Sequence, residues 1–167
     1  MEKNILEEFD QTTTELLETI NLFSKDNFNK ILFEGSWTAG QVCEHLFKAE
    51  SGLPRLLKSN SQKTNRDPAE KVKIIESIFL DFSKKLQSPD FILPSSAPKD
   101  KEKLLFSMQS NRQEIKEQLK STDLTLIFPD YPFPQLGELT GLEWLTFTIC
   151  HSKRHTRQLK NIYTSIS

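Results

Sequence analysis

A chain of 167 residues with 36% hydrophobic side chains is long enough to enclose one apolar core with room for an internal site, so residues 1–167 read as a single domain. Its 22 Lys and Arg are scattered among 23 Asp and Glu for a net charge of −1, which makes nucleic acid a poor partner. The start, Met1-Glu2-Lys3-Asn4, lacks the basic and apolar pattern of a signal peptide, no later stretch approaches a membrane span, and two cysteines cannot form a disulfide framework; the expectation is a soluble cytoplasmic protein with no membrane partner.

Glycine is scarce, and apolar residues recur at three- and four-residue steps through most of the chain, which predicts an all-helical protein. The first helix is expected over about Ile5 to Phe23, with Leu6, Phe9, Thr13, Leu16, Leu17 and Ile20 on one face. After a polar connection, a second helix opens at a capping box in which Thr38 accepts from the Gln41 backbone and the Gln41 side chain reaches back; Ser36 is the alternative cap. Val42, His45, Leu46, Ala49, Leu53 and Leu56 then form one stripe, so His45 points inward, and Pro54 predicts a kink or an early end.

Asp67-Pro68-Ala69-Glu70 supplies an N-cap, a proline at the first helical position and a glutamate at the third, so a third helix is expected from there, with Val72, Ile75, Phe79, Phe82 and Leu86 on its inner face. A proline-containing connector over 91–98 leads to a fourth helix, from about Asp100 to Leu119. The link from Thr122 to Leu139 interleaves three prolines with Phe128, Tyr131 and Phe133, so it is a loop that packs over the bundle. The box Thr140-Gly141-Leu142-Glu143 opens the last helix, whose one face carries Trp144, Thr148, His151, His155, Leu159 and Ile162.

The chain has three histidines. His151 and His155 stand four residues apart, so both imidazoles lie on one helix face and can converge on one metal ion, and His45 can join them if the fold brings the helices together. Three imidazoles suit Zn²⁺, Ni²⁺ or Fe²⁺ and leave a coordination position open for water or substrate. The alternative is a hydrogen-bonded core histidine and an ordinary helix face. The position after His151 is Ser152, where the zinc-protease motif needs a glutamate, so that mechanism of peptide hydrolysis is disfavoured.

Cys43 and Cys150 lie about 200° and 100° around their helices from His45 and His151, and read as buried free thiols. Glu44 projects to the side of His45 and Glu143 has a capping role, so neither stands out as a general base. Gln158 can hydrogen-bond near the site or be an ordinary surface glutamine; Trp37 and Trp144 read as core anchors, and Lys153, Arg154 and Arg157 as a solvated face.

The segment Trp37-Thr38-Ala39-Gly40-Gln41-Val42-Cys43-Glu44-His45-Leu46 resembles the signature W-[ST]-x-x-[EQ]-x-x-x-H-[LI] of the DinB-like, or YfiT-like, superfamily, and Leu139 to Trp144 followed by His151, His155 and Gln158 resembles its last helix. The resemblance implies an up-and-down four-helix bundle with a long crossover, commonly a homodimer, holding a divalent metal on His45, His151 and His155. It further implies an enzyme acting on a small-molecule substrate, in the manner of transferases that use low-molecular-weight thiols such as bacillithiol as co-substrate. A metal-dependent hydrolase and a non-catalytic dimeric binding module are the alternatives.

Overall fold

The computed structural model describes residues 2–167. Its helices are α1 (Glu2–Asn21), α2 (Lys25–Phe28), α3 (Ala39–Glu50), α4 (Leu53–Leu57), α5 (Val72–Phe79), α6 (Lys101–Leu119) and α7 (Gly141–Ile166), with one 3-10 turn at Asp90–Ile92. Among the described residues there is no strand, only isolated bridges such as Gln62 to Ile127 that pin loops together. No described helix is long and apolar enough to cross a membrane.

Four long helices, α1, α3, α6 and α7, make the bundle, and side-chain pairs fix their directions. Glu8 and Glu15 of α1 pair with Lys153 and Lys160 of α7, so these helices run parallel. Asp10 and Thr13 meet Lys116 and Arg112 in the reverse order, so α1 and α6 are antiparallel. Gly40 lies against Lys99, just before α6, and Glu50 against Arg112 further along the helix, so α3 and α6 are parallel. Two helices that follow one another in parallel need a long connection, and residues 58–100 supply it.

The local signals behave as the residues dictate. Thr38 accepts from the Gln41 N–H (3.1 Å) while Gln41 Oε1 accepts from the Thr38 N–H (2.9 Å), and Thr140 and Glu143 repeat the arrangement at α7. Near Pro54 the helix breaks, α3 ending at Glu50 and α4 restarting at Leu53.

The third helix differs from its expected span of Asp67 to about Leu86. Asp67 does cap a turn, accepting from the Ala69 N–H, but α5 begins at Val72 and stops at Phe79, leaving Phe82 and Leu86 in the crossover. The cause is tertiary. Glu143, fully buried at the start of α7, accepts from the two terminal Nη atoms of Arg66 (2.7 Å each) and from the Lys71 N–H (2.8 Å), and Thr140 donates to the Pro68 carbonyl. Burial pushes the Glu143 carboxyl up, but these donors outweigh it and hold the group below the ordinary carboxylate value. Backbone that must face this carboxylate is unavailable to a helix starting at Pro68.

The core divides into two main apolar clusters. One joins Leu16, Ile20, Val42, Leu46, Met108 and Leu159; the other joins Phe9, Leu53, Leu56, Ile115, Leu145 and Ile149 at the opposite end. A smaller cluster forms where the aromatic loop folds back and Phe133 packs on Phe79, Trp144 and Phe147. Between the two main clusters the bundle's waist is polar, and the candidate site lies there.

Candidate metal centre

α3 and α7 bring the three histidines together. His45 stands about two turns beyond its Thr38 cap and is 1% exposed; His151 and His155 project from one face of α7 at 7% and 8%. Their Nε2 atoms converge, His151 lying 3.0 Å from His45 and 3.1 Å from His155, and the candidate ligand atoms of all three fall within 4.8 Å of one another. Tetrahedral coordination at the usual zinc–nitrogen distance of about 2.0–2.1 Å separates ligand nitrogens by about 3.3 Å, so the spacing suits one ion.

The hydrogen bonds on the far side of two rings set their tautomers. His45 Nδ1–H donates to the Ile92 carbonyl (3.0 Å), and His155 Nδ1–H donates to Gln158 Oε1 (2.7 Å). Burial disfavours the imidazolium at each position: the His45 pKa is lowered, that of His155 is brought down to about 3 with the charge on His45 adding to the effect, and that of His151 lies well below its ordinary value. With neutral rings protonated at Nδ1, both His45 and His155 present Nε2 lone pairs to His151, which can offer at most one proton there. Two acceptors and one proton among buried rings leave a lone pair without a donor from the protein, and a cation could resolve that imbalance.

The surroundings are aromatic. The Phe147 ring stacks on His151 (5.1 Å between centroids, 22° between planes), Phe79 meets the same ring edge-on, and Trp37 lies 5.1 Å from His45. Among the described residues the candidate ligand group contains only the three histidines.

Cys43 and Cys150 are buried free thiols apart from the trio; burial raises both, Cys150 to about 12, so neither supplies a thiolate at neutral pH. Burial raises the Glu44 carboxyl but Lys99, the Ser95 N–H and Lys48 outweigh it, and the group is engaged in holding the crossover. The residues expected as a solvated face are mostly engaged: Lys153 pairs with Glu8, Arg154 donates to the carbonyls of Phe79, Asp81 and Lys84, and Arg157 lies over the Phe82 ring at 5.0 Å. Ile92 is the contributor that sequence reasoning missed, because its carbonyl carries no side-chain signal.

A family model described as the DinB superfamily matches residues 8–159. The chain is also similar to the uncharacterized protein YuaE of Bacillus subtilis (strain 168), with 23% identity over 164 residues that cover 95% of this chain and 96% of that protein. No solved structure matches.

Proposed function

This chain belongs to the DinB superfamily, and on that premise we propose that it is a metal-dependent enzyme that holds a divalent ion on His45, His151 and His155 and transfers a low-molecular-weight thiol to an electrophilic small molecule. The observation that carries this reading is the proton shortage at the trio: two Nδ1–H donors are committed outward, and the inward Nε2 lone pairs outnumber the protons available to them. A bound divalent ion supplies Lewis acidity that lowers the pKa of a coordinated thiol or water.

The protein's own groups act around it. The Ile92 carbonyl and Gln158 orient two imidazoles, and Phe79, Phe147 and Trp37 keep bulk water from the inner face. Glu44 and Glu143 are each committed to other partners, so neither serves as the general base that water activation needs, and this favours a thiol over water as nucleophile. The thiol gives its proton to the bulk buffer as it binds, and in the transfer the sulfur electron pair forms a new bond to carbon as the leaving group departs with its own pair.

The test is conjugation of a low-molecular-weight thiol to monochlorobimane. Acceleration that disappears on chelation, returns with added metal and is lost in His155→Ala supports the reading. A metal-loaded protein that turns over no thiol would instead be a binding module.

A further inference from the structure

The crossover meets the histidine site at two points. On the α7 side Arg154, next to His155, donates to the carbonyls of Phe79 (3.4 Å), Asp81 (3.0 Å) and Lys84, and the Phe79 ring meets His151 edge-on. On the α3 side His45 Nδ1–H donates to the carbonyl of Ile92 (3.0 Å), the last residue of the 3-10 turn Asp90–Ile92. Between these anchors residues 85–88 make no backbone–backbone hydrogen bond among the described residues. Beyond the turn the hold passes to other groups, because Lys48 donates to the Leu93 carbonyl (2.8 Å) and Glu44 accepts from the Ser95 N–H (3.0 Å). The turn is therefore the stretch of the crossover that a candidate ligand ring ties down.

That tie exists in one state of the ring only. A neutral imidazole carries its single proton on Nδ1 or on Nε2. On Nδ1 the proton is donated to Ile92; on Nε2 it faces His151, 3.0 Å away, and leaves an Nδ1 lone pair against the Ile92 carbonyl. The shortage of protons on the inner side of the trio thus competes with the anchor on the outer side. A ring whose Nε2 ligates a cation has no such choice, because its proton stays on Nδ1 and coordination makes that N–H a stronger donor.

We propose that the turn Asp90–Ile92, with the unsupported residues 85–88 before it, is a strap whose order depends on the ion held by the trio. With the ion bound, His45 holds Ile92 and the strap lies closed; without it, the His45 proton divides between the two ring nitrogens and the turn opens more often. By linkage the reverse holds as well, so a change that loosens the turn weakens ion binding. The proposal rests on the divalent-ion reading of the trio and not on the reaction assigned to it.

The test is residue-resolved amide hydrogen exchange of the full chain with and without Zn²⁺, with uptake followed by calorimetry on the same samples. The reporters are the Ile92 and Leu93 N–H groups, which donate to the Pro89 and Asp90 carbonyls (3.2 Å each) and exchange when the turn opens. Zn²⁺ should slow both about tenfold. Two control amides should keep their rates: Ser95, held by Glu44, and Phe133, which donates to the Gly137 carbonyl (2.8 Å) in the aromatic loop. Pro89 is exposed, and Pro89→Gly leaves all three ligands in place while freeing the backbone that enters the turn; it should speed exchange of both reporters and lower Zn²⁺ affinity about threefold. Bound Zn²⁺ that leaves Ile92 and Leu93 unchanged, or that slows the controls by the same factor, overturns the coupling, and so does wild-type Zn²⁺ affinity in Pro89→Gly. Each of those results leaves the metal reading intact, whereas no Zn²⁺ uptake by the wild type removes that reading and the strap with it.

Discussion

At the waist of the bundle α7 contributes neighbouring residues to two buried polar groups, Ser152 to one and His151 to the other. In the first, Arg112 is 2% exposed and its guanidinium donates to both Glu50 oxygens (3.0 and 2.7 Å), to Thr13 Oγ1 (2.9 Å) and to Ser152, while Phe9 covers it at 5.4 Å. Charge cancels charge, and the strongest donors meet acceptors. In the second, three neutral imidazoles face one another with more lone pairs than protons. A buried polar network complete in itself holds a fold together; one short of protons leaves lone pairs that a cation could satisfy.

The largest effect expected from this contrast is in the first group. Arg112→Met leaves the Glu50 carboxylate buried without its partner and should cost about 3–5 kcal/mol in urea unfolding, whereas the double variant Arg112→Met, Glu50→Leu should recover most of that loss. If the single and double variants were equally unstable, the network would owe its stabilising role to packing alone. The second group should respond in the opposite way: His45→Ala should change the metal-free midpoint far less, yet abolish the stabilisation that Zn²⁺ confers on the wild type, about 2.7 kcal/mol at a hundredfold excess over Kd.

pH separates the two groups further. All three imidazoles have folded-state values below the ordinary 6.5, so the unfolded chain takes up their protons first as the solution is acidified. The stability they contribute is full above about pH 6.5 and is lost as pH falls toward their folded values, about 3 for His155. Urea midpoints of metal-free protein should therefore decline from pH 6.5 downward, and His155→Ala should decline less steeply; parallel profiles would show that the imidazoles are not the source.

Gln158→Leu sharpens the contrast at one atom. It removes the acceptor that fixes the His155 tautomer, so Zn²⁺ affinity should fall about 10- to 100-fold while helical content stays unchanged. The smallest effect belongs to the caps: Thr38→Ala should cost about 1 kcal/mol of stability, and Zn²⁺ uptake at saturating metal should persist.

How much of this was legible in the sequence follows from how local each interaction is. The boxes Thr38 to Gln41 and Thr140 to Glu143 join residues three apart, and the chain displays both partners together. The helical spacing of His151 and His155 is legible for the same reason, and the inward stripe of α3 placed His45 within reach. The short α5 was not legible, because the carboxylate that reshapes residues 66–71 belongs to Glu143, more than seventy positions away. Nor was the Arg112–Glu50 pair, since charges on separate helices look like solvated surface until the bundle closes over them. Arg154 reads as part of a solvated face in the sequence because its partners are backbone carbonyls, which carry no side-chain signal.

The proposed function requires the trio to bind a divalent cation through all three imidazoles. Isothermal titration of chelator-treated protein with Zn²⁺ tests it directly, with His45→Ala, His151→Ala and His155→Ala titrated in parallel. One ion per chain is expected in the wild type, with at least a hundredfold loss of affinity in each variant, about 2.7 kcal/mol. No uptake by the wild type, or uptake that any of the three variants retains at wild-type affinity, would contradict it.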